Sequence, residues 1–171
     1  MAISEPWELD GVTVGASELS IISGTTSLQT DTTAGVYQLL LDPVGAGMAK
    51  GDEFIARVYE KVEGTGGTKR KLWKHLMRNA QGGPIIFPPC AMLYGFDFTL
   101  QKTAGTDRAW DASVRCIGGT VTQVYELDGV SISTAEISIV SGTSSLQTIT
   151  DDGVYQLFLD PVGDPMVKGA S

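Results

Sequence analysis

The chain has a single histidine, two cysteines and few basic residues, and each shortage narrows what it can do. With His75 alone, any histidine-rich metal site or Ser/His/Asp or Cys/His arrangement depends on one residue in a lysine-rich stretch. Cys90 and Cys116 are too few for a disulfide framework and lack metal-ligand spacing. Two free thiols are therefore expected, since cysteine is usually buried and inert. No run of about eighteen uninterrupted apolar residues occurs, so no membrane span is expected. The opening MAISEPWELD lacks the basic stretch and apolar core of a signal peptide. Against 20 acidic residues stand 12 basic ones, a formal charge of −8. Nucleic acid and anionic membranes would be repelled at long range, and neither is expected as a partner.

Catalytic and cofactor signatures are missing as well. GTGG at 64–67 leads into a basic β-like run, not the helix that a phosphate-binding loop opens. Asp42 with Asp52, and Asp151 with Asp152, lack the alternate acidic positions and closing glutamate of a calcium loop. Hydroxyl-rich SGTTSLQT has no base beside it and no nucleophile elbow. The expectation is a non-enzymatic protein with no catalytic residue, no cofactor and no metal.

What the chain does have is a repeat. Residues 8–51 recur at 126–169, offset by 118 positions without a gap and identical at 29 of 44. This is a duplication. The expected organisation is a complete unit over 1–118, a linker over 119–125, and at 126–171 a partial repeat of 8–51. An isolated pair of strands is marginal in water, so the partial repeat is expected to complete itself against a neighbouring subunit, giving a homo-oligomer.

Alternation of period two dominates, and no stretch of helical length shows an apolar stripe. Tyr37, Leu39 and Leu41 share one face, repeated as Tyr155, Leu157 and Leu159. Phe54, Ala56 and Val58 oppose Arg57, Tyr59 and Lys61; Phe96, Phe98 and Leu100 oppose Asp97, Thr99 and Gln101; Trp110, Ala112, Val114 and Cys116 oppose Asp111, Ser113 and Arg115. One dry and one wet side is the pattern of a two-layer antiparallel fold. Turn signals separate the runs at LDPVG, EGTGGTK, NAQGGP and KTAGTDR. Seven or eight strands at that spacing predict an all-β fold, a β-sandwich of immunoglobulin-like or jelly-roll kind, followed by a truncated second copy of its first strands.

Residues 69–78, KRKLWKHLMR, carry five basic residues and no acid, whereas 126–171 hold seven acids against Lys168. Lys69, Arg70, Lys71, Lys74 and Arg78, with Trp73 among them, are a candidate interface for an acidic surface, set against the plainer reading of a lysine-protected sheet edge. Tyr155, Leu157 and Leu159 are the candidate contact of the partial repeat. Trp73 alternates with Lys71 and His75 and is the aromatic most open to a sugar-stacking reading.

The blocks AGVYQLLLD, KGDEFIARVYEKV, GGTKRKLW and YGFDFTLQKTAGTDRAWDASVR resemble a family of short phage-encoded proteins that begin MAIS and contain YEKV and TLQKTAGTDR. The resemblance spans residues 1 to about 117 and carries no binding residues. Members are virion-associated or hypothetical proteins, about one unit long. The resemblance implies a virion structural protein made in the host cytoplasm and placed on the capsid surface, a decoration or cement protein bound to the major capsid protein. A receptor- or carbohydrate-binding module of a head fibre or tail is the alternative.

Overall fold

The computed structural model describes residues 3–61 and 68–118. The linker and the partial repeat, with Tyr155, Leu157 and Leu159, lie outside the described residues. Among the described residues there is no helix. The strands are β1 (Ser4–Val14), β2 (Leu19–Ser20), β3 (Gly35–Leu41), β4 (Glu53–Lys61), β5 (Lys69–Arg78), β6 (Ile85–Ile86), β7 (Cys90–Met92), β8 (Asp97–Ala104) and β9 (Arg108–Cys116). Six are long; β3, β4, β8 and β9 match the alternating runs of the sequence, and β5 the basic run. β2, β6 and β7, two or three residues each, bring the count to nine where seven or eight were expected.

Two antiparallel sheets pack face to face as a β-sandwich. One runs β1-β9-β3-β6, with β7 also on β3; the other runs β2-β8-β4-β5. The inward phase of each long strand supplies the core. On β3, Tyr37, Leu39 and Leu41 are buried, and Leu39 stands opposite Val114 of β9. From the other sheet come Phe54, Ala56 and Val58 of β4 and Phe96, Phe98 and Leu100 at and along β8. Rings interlock across the layers: Tyr37 and Phe96 lie 5.0 Å apart, and Phe54 meets Trp110 edge-on at 5.1 Å. Offset and tilted contacts of this kind suit the ring quadrupoles.

The chain changes sheet repeatedly, and carboxylates hold the crossings. Asp52 accepts N–H groups from Ala49 and Thr106, both at 2.9 Å, and pairs with Arg108 at 2.7 Å. Gly105 closes the passage from β8 to β9 at φ 85°, where a Cβ would sit 2.6 Å from the Asp52 Cα, so glycine is required twice over. In the LDPVG turn the Asp42 carboxylate accepts the N–H groups of Val44 and Gly45, an Asx turn that fixes the end of β3.

Two expectations need correction or a physical reason. Asp97 and Thr99, assigned to a wet side, are fully buried on the outward face of β8. The segment from Gly15 to Asp31 runs beside β8: β2 pairs with it, and Asp31 bridges to Phe96. Its polar groups meet the outward side chains, so that face is covered by polar partners and not by water. Cys90 and Cys116 are free. Both stand opposite Tyr37, one on each flank of β3. That puts them two strand spacings apart, about 9.5 Å, beyond the ~7 Å limit for a bridge.

Candidate interaction surface

The basic run becomes β5 because every second residue has an inward neighbour on β4: Met77 opposite Phe54, His75 opposite Ala56 and Trp73 opposite Val58. β5 is also the last strand of its sheet, with β4 on one side and no strand on the other among the described residues. Inward side chains near an edge are only partly covered. Met77 is buried, His75 half-buried, and Trp73 is 44 % exposed. A bulge between the pairs Val58/Trp73 and Tyr59/Lys71 leaves Leu72 as the extra residue, packed against the core. Such a bulge bends and twists the strand at that point.

The opposite sheet also ends here, at β6. Ile85 and Ile86 pair with Leu41 and Leu40 and have no further strand neighbour among the described residues. The two sheet edges leave a shallow groove of about 120 Å³ between them, lined by Trp73 and His75 on one side and Ile85, Ile86, Phe87 and Pro88 on the other. His75 meets Phe87 edge-on at 5.7 Å, closing its floor, while Ile86 is 58 % exposed at the rim. The space suits one apolar side chain.

The candidate basic residues are not equivalent. Lys69 donates to the Gln29 carbonyl and so ties β5 to the segment over β8. Arg78 pairs with Glu53 at 2.7 Å. Arg70 is exposed and stands opposite Glu60 in the register. Lys71 and Lys74 are exposed and make no hydrogen bond or ion pair among the described residues. Lys74 stands directly opposite Arg57, which is itself paired with Glu18, and its charge helps hold the Glu53 carboxyl below the usual range. The structure thus puts Trp73 on the groove side of this edge strand and Lys71 and Lys74 on its outer face. Ile85–Pro88 had no place in the sequence-based site; their signal is an apolar triplet between prolines, the mark of an edge strand.

Away from this edge, the titratable groups hold the fold. Glu18 accepts from the Tyr59 hydroxyl at 3.1 Å and from Thr99, and lies 3.1 Å from Arg57, whose other nitrogen donates to Gln101 at 2.8 Å. Burial first, and then the Glu18 charge, pushes Tyr59 up to about 12. Asp97 accepts from Ser20 Oγ at 2.8 Å and the Gln29 N–H at 2.7 Å, yet its burial outweighs these bonds and raises its pKa. Glu60 is 2 % exposed on the core phase of β4. One of its oxygens accepts the N–H groups of Leu93 and Tyr94; the other has no partner among the described residues, and burial pushes its pKa up. No group of three His, Cys, Asp or Glu side chains arranged to hold a metal occurs among the described residues.

No protein-family model, curated protein or solved structure matches this chain.

Proposed function

We propose that this protein is a non-enzymatic structural component of a phage particle, a capsid decoration protein that docks on the major capsid protein through the β5 edge. One observation carries the reading: on a chain of net charge −8, a terminal strand exposes Trp73 beside an apolar groove on one face and Lys71 and Lys74 on the other. An extended acidic segment of a shell subunit would add to the strand through main-chain hydrogen bonds, set one apolar side chain in the groove and neutralise the two lysines. The resemblance to short virion-associated phage proteins supports the setting. Self-association through the partial repeat at 126–171 belongs to the same proposal, since its Tyr155, Leu157 and Leu159 repeat an inward face of the unit.

A receptor- or sugar-binding role in a head fibre or tail is the second reading, favoured by the exposed indole of Trp73, which could stack on a sugar ring. Copy number separates the two. Mass spectrometry of purified particles should give hundreds of copies for decoration and a few to dozens for a fibre or tail part. Particles stripped of the protein should rebind the parent chain and reject the Lys71→Glu/Lys74→Glu variant. Equal rebinding of that variant would remove β5 as the docking edge.

A further inference from the structure

β7 is a short edge strand. Cys90, Ala91 and Met92 pair with Tyr37, Val36 and Gly35 of β3 and have no strand on their other side among the described residues. Beyond Met92 the chain crosses to the other sheet and enters β8 at Asp97. Backbone bonds hold the far end of this crossing: Phe96 and Asp31 exchange N–H groups at 2.8 and 3.0 Å, and Lys61 donates to the Tyr94 carbonyl at 3.2 Å. The near end hangs on one side chain, because the Glu60 carboxyl accepts the N–H groups of both Leu93 and Tyr94.

Glu60 is a poor place to leave a charge. It is 2 % exposed, and only one of its two oxygens has a partner among the described residues. A carboxylate spreads its charge over both oxygens, so the ionised form buries a charge that is half satisfied, whereas the protonated form buries none. The ionisable groups around it are Arg70, its partner in the β5 register, Cys90 on β7 with Tyr37 of β3 behind it, and Tyr94 on the crossing. Tyr59 and Lys61 beside it on β4, and Asp97 opposite Tyr59 on β8, stand in the other phase, on the outer face of the sheet. Burial dominates this balance and raises the Glu60 pKa above its ordinary 4.5.

We propose that residues 90–95 form a pH-gated flap on the sandwich: when Glu60 ionises, it lets go of the Leu93 and Tyr94 N–H groups, β7 lifts from β3, water reaches the carboxylate and the Cys90 thiol is bared. The flap has defined ends. Pro88 and Pro89 lead into it. At the other end Gly95, at φ 36°, has no room for a Cβ, which would lie 2.7 Å from the Thr30 side chain and 2.9 Å from that of Lys61, and Phe96 beyond it is fully buried and bonded to Asp31. Opening therefore stops short of the core. None of this depends on what the β5 edge binds.

The pH range follows from linkage. Opening returns Glu60 to water and to its ordinary 4.5; between that value and the raised one, each pH unit favours the open form by up to about tenfold, and above the raised value the effect levels off. Cys90 is the reporter. Burial first, and then the Glu60 charge, pushes its thiol up, so it reacts slowly while the flap is closed.

The test uses the full chain with Cys116→Ser, which leaves Cys90 as its one thiol. The rate of Cys90 labelling by a maleimide is followed from pH 5 to pH 8 and divided by the rate in Cys116→Ser/Glu60→Gln, which cancels the thiol's own pH dependence. The ratio is expected to climb with pH, by up to about tenfold per unit, before levelling. A flat ratio would overturn the proposal. Amide exchange in the Cys116→Ser chain needs no Glu60 variant: after correction for intrinsic rates, Leu93 and Tyr94 should lose protection as pH rises while Val58 and Phe98 keep theirs. Unchanged protection at Leu93 and Tyr94, or loss at all four together, would mean that no flap opens.

Discussion

Asp52 and Glu60 are both buried carboxyls of the β4 region, and they couple stability to pH with opposite signs. The N–H groups of Thr106 and Ala49, then Arg108, hold Asp52 below its ordinary pKa. Its contribution is present above the ordinary carboxylate range and is lost as pH falls through the depressed value. For Glu60 burial raises the pKa, so its contribution is full below the ordinary 4.5 and is lost as pH rises through the raised value. Glu60→Gln keeps an oxygen for the Leu93 and Tyr94 N–H groups without the buried charge. Urea midpoints at pH 5 and pH 8 should therefore lie closer together in Glu60→Gln than in the parent; an unchanged gap would mean that Glu60 is not the group responsible. In the apolar core, Phe98→Ala should cost about 3–5 kcal/mol by denaturant titration, from lost burial and a residual cavity. A variant as stable as the parent would mean that Phe98 does not face the core.

At the scale of elements, β5 should be separable from folding. Lys71→Glu and Lys74→Glu change exposed groups, so each should shift stability by no more than about 0.5 kcal/mol while reducing docking on the particle. Large losses of stability would identify β5 as a structural strand only. Gly105→Ala behaves oppositely: its Cβ has no room and its φ is left-handed, so it should destabilise the chain by more than about 1 kcal/mol, measured by thermal melting. Four of the long strands, β3, β4, β8 and β9, were legible in the sequence because a two-sided sheet writes its inward face as a period of two, whereas β1 was not read as a strand. Tyr37, Leu39 and Leu41 follow that rule, as do Phe54, Ala56 and Val58. Asp97 and Thr99 follow the period too, but alternation reports only that two faces differ. It does not say that a polar segment from elsewhere in the chain covers the second face. Glu60 lies in phase with Phe54 and could have been noticed, but its backbone partners come from 33 and 34 residues away. Of the candidate site, the basic and aromatic half on β5 was legible; the Ile85–Pro88 half needed the two sheet edges brought side by side.

At the scale of the whole molecule two proposals stand to be tested, docking through the β5 edge and self-association through the partial repeat. Deleting residues 119–171 should leave the unit folded but with weaker self-association, which light scattering of the two chains would reveal. Equal association of both would take the partial repeat out of assembly. The central claim, that the β5 edge fixes this protein to a phage shell, is tested most directly by a cryo-EM map of the particle at side-chain resolution. The account predicts density for the sandwich at hundreds of sites, with Lys71, Trp73 and Lys74 facing an acidic extended segment of the shell. A map in which the protein is absent from the shell, or sits there with β5 turned to solvent, would contradict it.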